Sequence, residues 1–296
     1  MTDGHSVILE AQSISKRFLG SVALDNVDFA LRKGEVHALL GENGAGKSTL
    51  IKCLTGAYRR DSGTVSLDGR EIDPRDTFEA QVHGIGTVYQ EVNLLHNLSV
   101  AENLFLGRQP MRFGITRSGE MNRRSLALLA QYGLDIDVRL PLSHFSVAVQ
   151  QIIAIARAVD LSGKVLILDE PTASLDTQEV EVLFGIVRDL KSRGLGIVFI
   201  THFMEQVYAI ADRITVLRNG RLVGTRDTDS LERKDLVSMM LGRELVEETR
   251  HTAAPTLETG RSRFRFKAIG RKGAIEPFDL DIAEGEVVGL AGLLGS

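Results

Sequence analysis

The chain has 296 residues, 43% of them hydrophobic and 25% charged, with a formal net charge of −4. That balance excludes a wholly disordered chain and leaves no chain-wide basic field for non-specific binding to nucleic acid. A single cysteine, Cys53, rules out an internal disulfide, and no run approaches the roughly 18 consecutive apolar residues that cross a bilayer.

Residues 1 to 12 lack the basic start and apolar run of a secretion signal, so any work at a membrane is expected from the cytoplasmic side through a partner. Residues 7 to 35 then alternate apolar and polar side chains in short runs broken by Gly20 and Gly34, which predicts antiparallel strands. The buried-type strand Val36-His37-Ala38-Leu39-Leu40 runs into a glycine-rich turn and an apolar-periodic helix over residues 47 to 54, where Cys53 falls on the apolar pattern. Asp68-Gly69 and Asn219-Gly220 suit the positive backbone angles of tight hairpin turns.

From about residue 93 to 160 the pattern turns helical. Ser99-Val100-Ala101-Glu102 has the form of a capping box, and a second helix with apolar Leu126 and Leu129 is expected after Arg123. Two further buried-type strands, Val165-Leu166-Ile167-Leu168 and Ile197-Val198-Phe199-Ile200, flank a helical stretch over residues 179 to 192. Strand, helix, strand at that spacing implies a parallel sheet, with the helical region inserted into an α/β core.

Beyond Gly242 the chain is polar and aperiodic, which reads as a linker. It then repeats itself: the run from Phe278 to Val287 parallels that from Val27 to Val36, with Gly285 standing 251 positions after Gly34. The same offset carries Gly292 onto Gly41 and Gly295 onto Gly44, so a second glycine-rich loop begins near the last residue, Ser296.

Gly41-Glu42-Asn43-Gly44-Ala45-Gly46-Lys47-Ser48 matches the phosphate-binding pattern G-x-x-x-x-G-K-[ST], set between a strand and a helix as that loop requires. Its backbone N–H groups and the helix N-terminus suit phosphate oxygens, Lys47 the outer phosphates, and Ser48 a Mg²⁺ ion, with Thr49 adding a hydroxyl. The strand ending at Leu168 delivers Asp169 and Glu170 to the sheet edge where open α/β sheets hold ligands. Asp169 suits a Mg²⁺ shell and Glu170 a general base. Carboxylates at strand ends are common; Pro171-Thr172-Ala173-Ser174-Leu175-Asp176 directly after them and Thr201-His202 at the next strand end are what single these out. His202 is placed to meet a γ-phosphate or an attacking water, though a histidine there is ordinarily structural.

The ordered set GENGAGKST, Tyr89-Gln90-Glu91, VLILDEPTASLD and Thr201-His202 resembles the nucleotide-binding domain of ABC transporters over residues 7 to 243. The resemblance implies an α/β P-loop NTPase with an antiparallel β-subdomain and a helical subdomain over about 92–160, taking ATP and Mg²⁺. It makes Gln90 the link to the helical subdomain and a contact for Mg²⁺ and water, and puts Ser174 and Asp176 in the turn that follows the catalytic strand. It also makes Phe18 the aromatic that stacks on adenine; a plain core phenylalanine is the alternative. The family's LSGGQ signature aligns with Phe145-Ser146-Val147-Ala148-Val149-Gln150. Ser146 is kept as an N-cap beside Gln150, but Val147 and Ala148 replace two glycines and leave a phosphate less room.

Altered signatures and tandem domains mark the family's monosaccharide-importer branch, and the run around the signature is similar to members that import galactofuranose. On that reading residues 1–243 are a nucleotide-binding domain, 244–261 a linker and 262–296 the opening of a second domain. The implied setting is peripheral, on the cytoplasmic face of the inner membrane. The implied partners are transmembrane permease subunits, a second nucleotide-binding domain by dimerisation and, indirectly, a periplasmic sugar-binding protein, with no nucleic acid. Two rivals stay open: an ABC ATPase without a permease, and an ATP-binding regulator that hydrolyses poorly.

Overall fold

A computed structural model describes residues 6–89, 94–242, 262–271 and 275–289, in two compact units, Met1–Leu245 and Val246–Ser296. The first unit opens with the hairpin of β1 (Val7–Phe18) and β2 (Ser21–Arg32), turned at Gly20. Next come β3 (Val36–Leu40), α1 (Lys47–Leu54), β4 (Ser62–Leu67) and β5 (Arg70–Ile72). Asp68 and Gly69 take φ values of 50° and 72°, as Asn219 and Gly220 take 51° and 74°, the mirror-turn geometry their dipeptides call for. Then follow α2 (Thr77–His83), β6 (Ile85–Val88), α3 (Val100–Leu104), the short pair β7 (Met111–Arg112) and β8 (Ile115–Thr116), α4 (Ser118–Ala130) and α5 (Val147–Ser162). The unit closes with β9 (Val165–Asp169), α6 (Thr177–Ser192), β10 (Gly196–Ile200), α7 (Met204–Ile210), β11 (Arg213–Arg218), β12 (Arg221–Asp227) and α8 (Arg233–Leu241).

Two sheets result. One is antiparallel in the order β2-β1-β4-β5, and the other runs β12-β11-β3-β10-β9-β6 with every pairing parallel except β11 with β12. The parallel strands bury both faces: residues of β9 and β10 alternate between two cores, and Ala38, Leu40, Ile214 and Val216 of β3 and β11 pack into a third with Val207 and Leu236. Leu166, Leu168, Ile197 and Phe199 pack with Ile153 of α5 and Phe184 of α6. Val165, Ile167 and Val198 face the other way, onto Leu9, Ile14, Val27 and Leu31 of the antiparallel sheet and Leu50 and Leu54 of α1. Such two-sided burial explains why these strands read as continuous apolar runs. Cys53 lies in the second core, where burial pushes its thiol up to about 11, so it is a packing residue with little thiolate at neutral pH.

The helical stretch departs from expectation in detail. The capping box at Ser99 and Glu102 forms, but α4 begins at Ser118, before Arg123, and Leu126 faces outward while Leu129 is buried. Leu126 and Leu129, three positions apart, stand about 60° apart around the helix, so the edge of the buried stripe falls between them. The hairpin of β7 and β8 and the irregular segment between α4 and α5 lie within what reads as a helical subdomain. Helix α6 starts two residues before its periodicity does, because Asp176 accepts from the Glu179 N–H while Glu179 reaches back to the Asp176 N–H.

The second unit shows β13 (Ser262–Arg271) and β14 (Ile275–Ala283), an antiparallel pair. Its pairing follows that of β1 and β2: Phe266↔Leu280 and Ile269↔Phe278 stand where Ala11↔Phe29 and Ile14↔Val27 stand. Ala268 repeats the left-handed backbone of Ser13, with φ 49° and 53°, and donates its N–H to Asp279 as Ser13 donates to Asp28, each at 2.7 Å. Glu286 accepts from the Ala283 N–H as Glu35 accepts from the Arg32 N–H. The described part of the run after Gly285, Glu286 to Gly289, is not in a strand, unlike β3. Strand β3 forms between two parallel neighbours, β10 and β11, and this unit shows two strands, β13 and β14, among the described residues. The linker over 244–261, and Gly292 and Gly295, lie outside the described residues.

Candidate functional site

The strand order builds the site. Strands β3 and β9 flank β10 and run parallel to it, so three carboxyl ends stand side by side at a spacing of about 4.8 Å. From β3 springs the loop Gly41 to Gly46, from β9 Asp169 and Glu170, and from β10 Thr201 and His202. One cavity of about 340 Å³ is lined by Ala23, Asn43, Gly44, Ala45, Gly46, Lys47, Ser48, Thr49, Asp169 and Glu170. The loop residues and the two carboxylates that sequence reasoning set apart are therefore brought together.

Glycine is required at both ends of the loop. A Cβ on Gly46, whose φ is 105°, would stand 2.9 Å from the Ala23 carbonyl oxygen, and one on Gly41 would stand 2.8 Å from the Ala45 Cβ. Gly46 is the N-cap of α1 and has no side chain to satisfy the first N–H groups of that helix, which leaves those donors facing the cavity. Lys47 donates from Nζ to the Gly41 carbonyl at 2.8 Å and the Glu42 carbonyl at 3.1 Å. Burial lowers the Lys47 pKa, while the Glu170 and Asp169 carboxylates counteract it. Burial, and then the Glu170 charge, raise the Asp169 pKa against the pull of Lys47 and Lys52. A carboxylate held above its ordinary range at a cavity wall gains from a nearby cation.

Glu170 is one of the few non-glycine residues in the left-handed region, at φ 49°. Its N–H donates to the Ile200 carbonyl at 2.9 Å, tying it to β10. His202 Nδ1 stands 3.4 Å from Glu170 Oε1, and the His202 ring packs on Phe203 with centroids 4.0 Å apart. The carboxylate and the imidazole can thus share one reacting group.

Other expected residues lie elsewhere. Phe18, 43% exposed at the end of β1, meets Tyr58 edge to face at 5.3 Å and carries the Lys16 ammonium over its ring, 5.5 Å from the centroid; it is no core residue. Ser146 is the N-cap of α5 and accepts from the Val149 N–H at 3.4 Å, and Gln150 donates to the Phe145 carbonyl at 2.9 Å. The adjoining Val147 is 48% exposed. Asp176 serves as the cap of α6 described above, with Ser174 in the turn before it. Gln90 lies outside the described residues. Sequence reasoning missed Tyr58, the partner of Phe18, and Gln206, whose side chain bridges Thr172 and Thr201; neither stands in a motif.

Fold and loop together define a P-loop nucleotide-binding domain with an antiparallel β-subdomain. The ABC transporter family pattern matches residues 24–173, and the chain belongs to that family. The galactofuranose transporter ATP-binding protein YtfR of Escherichia coli is 61% identical over 295 residues, covering 100% of this chain and 59% of its own length. The fructose import ATP-binding protein FruK of Bifidobacterium longum is 47% identical over 100% of this chain and 58% of its own. The ribose import ATP-binding protein RbsA of Geobacillus kaustophilus is 43% identical over 98% and 58%. The chain thus spans under two thirds of these curated relatives. Among solved structures, the ADP conformation of an ATP-binding cassette of an ABC transporter superposes with a TM-score of 0.70 at 26% identity, over 80% of this chain and 100% of that one. A nucleotide-free ATP-binding cassette does so with 0.69 at 25%, over 82% and 98%.

Proposed function

We propose that this chain binds Mg-ATP at the tips of β3, β9 and β10 and hydrolyses it to drive a sugar importer. The observation that carries the reading is the convergence of the phosphate loop, the Asp169 and Glu170 pair and His202 on three neighbouring strand ends. Backbone N–H groups at the start of α1 hold the phosphate tail, and Lys47 turns from the loop carbonyls toward the outer phosphates. Glu170 Oε1 accepts the proton of the attacking water, and His202, 3.4 Å away, orients that water and the terminal phosphate.

Ser48 and Asp169 suit Mg²⁺, which binds through one or two carboxylates and completes its shell with phosphate and water. Among the described residues no cluster of three or more His, Cys, Asp or Glu side chains offers a self-sufficient metal cage, which agrees with an ion that arrives with the nucleotide. Bound there, Mg²⁺ neutralises charge on the phosphates. Gln90 is proposed as a further contact for that ion and for the water, and Phe18 as the stacking face for adenine.

The 61% identity to a galactofuranose transporter protein supports galactofuranose as the sugar, a permease as the membrane partner and a sugar-binding protein as an indirect one. The working form is a pair of nucleotide-binding domains in which the capped N-terminus of α5, with Ser146 and Gln150, faces the nucleotide held by the other domain. The shared register, bulge and carboxylate pins of the two hairpins support residues 262–296 as the opening of a second such domain after a linker over 244–261. No helix among the described residues is long and apolar enough to cross a membrane, and the proposed place is the cytoplasmic face of the inner membrane, held there by the permease.

Equilibrium binding of Mg-ATP with phosphate release is the test. Wild type is expected to bind and turn over, and Lys47→Ala to lose affinity by about a hundredfold. Equal binding by both chains would overturn the site. Tight binding with no turnover by wild type would favour the regulator, which Val147 and Ala148 at the start of α5 already suggest.

A further inference from the structure

We infer that Gln206 is a positioning residue that locks the turns carrying Glu170 and His202 into one unit, an inference that rests on the hydrolytic reading above. The pairing of β9 with β10 ends at Asp169 and Ile200, followed by the single backbone bond from Glu170 to Ile200. Past that point the two turns have no ladder to align them. Thr172 and Thr201 nevertheless face each other's region while only 3% exposed each, and a buried hydroxyl demands a partner.

One atom serves both. Gln206 Oε1 accepts from Thr172 Oγ1 at 2.6 Å and from Thr201 Oγ1 at 3.2 Å. Thr201 Oγ1 in turn accepts from the Phe203 N–H at 3.2 Å, and the Gln206 N–H donates to the Phe203 carbonyl at 3.1 Å. The first turn of α7 thus folds Gln206 back over both turns. Phe203 carries the ring against which His202 packs, so the chain of contacts runs from Thr172, two residues after Glu170, to the His202 imidazole. Glu170 at φ 49° is a conformation that persists only where its surroundings over-determine it, and the bridge supplies that constraint from the Thr172 side.

The bridge uses an acceptor oxygen and no donor. It follows that Glu in place of Gln keeps it, and that Met, close in length and shape, removes it. The experiment is carried out on the full chain with Gln206→Met and Gln206→Glu, reading amide hydrogen exchange over residues 169–176 and 200–206, Mg-ATP affinity, and kcat against KM. Gln206→Met is expected to speed exchange in both turns by about tenfold or more, since both hydrogen bonds accepted by Oε1 are lost, and to lower kcat by a similar factor with KM and affinity unchanged; Gln206→Glu is expected to restore both.

Unaltered exchange in the Met variant overturns the bridge. Faster exchange with kcat untouched overturns the positioning role and leaves a structural bond. A fall in kcat that Glu fails to rescue overturns the acceptor argument. Failure of wild type to bind Mg-ATP would sink the proposed function instead, and the exchange measurement would still decide the bridge.

Discussion

The two hairpins of this chain share register, a left-handed bulge residue and two carboxylate pins, yet differ in what they bury. In the first unit Ile14 and Val27 are 0% exposed beneath the antiparallel sheet; in the second Ile269 and Phe278 are 45% and 41% exposed. Shape here is a local property, written by the bulge and by Asp28 or Asp279. Stability and chemistry are not local, because they come from the second sheet that the first hairpin covers and from the strand tips of that sheet.

That contrast can be sharpened at the tips themselves, where the largest effect is expected. Glu170→Gln should leave Mg-ATP affinity near wild type and reduce turnover by about 10²- to 10⁴-fold, the usual worth of a positioned general base. Single-turnover phosphate release measures it, and undiminished turnover would take Glu170 out of that role. A smaller effect separates the two hairpins. Ile14→Ala should cost about 2–5 kcal/mol in denaturant unfolding, and Ile269→Ala within about 0.5 kcal/mol as an exposed position. Equal costs would break the comparison, for they would mean that the second hairpin is buried as deeply as the first.

Smaller again is the bulge pin. Asp28→Ala should destabilise the first unit by about 1 kcal/mol, while Asp279→Ala should speed exchange of the Ala268 amide without moving the main unfolding transition. The smallest effect concerns Asp169. Its pKa is raised by burial and by Glu170, so the folded chain holds that proton more tightly than the unfolded chain does. The stability this supplies is complete below the ordinary carboxylate range and is lost as pH rises through the raised value. Asp169→Asn should therefore raise Tm at neutral pH, with the gain vanishing toward about pH 3. A lowered Tm at neutral pH would show that the carboxylate stabilises the empty site.

How much of this was legible follows from how local each signal is. Gly41 to Ser48 declares itself because loop, lysine and hydroxyl must be contiguous, and Asp169 and Glu170 because a doubly buried strand points at them. The turns at Asp68-Gly69 and Asn219-Gly220 were legible for the same reason. Which of Leu126 and Leu129 meets the core was not legible, because helical spacing fixes a face only when several apolar positions agree. Asp176 was read for its neighbours and not as a cap, although Glu179 stands three residues on, which is the mark of a capping box. Gln206 was invisible: its meaning depends on Thr172 and Thr201, 34 and 5 residues away, brought near by strand order alone. The site residues that remain least tied together, Phe18 and Ser146, sit on the antiparallel sheet and on α5, away from the shared strand tips.

The placement of β10 between β3 and β9 turns the central sheet into a ruler. Pairings such as Phe199 with Ala38 and Ile200 with Asp169 set how far His202 projects relative to both the loop and Glu170. A slip of one residue would shift the imidazole by about 3.3 Å along the strand and turn it to the opposite face. Residues deep in the sheet, with no ligand contact, thereby share responsibility for the reach of a side chain at its rim.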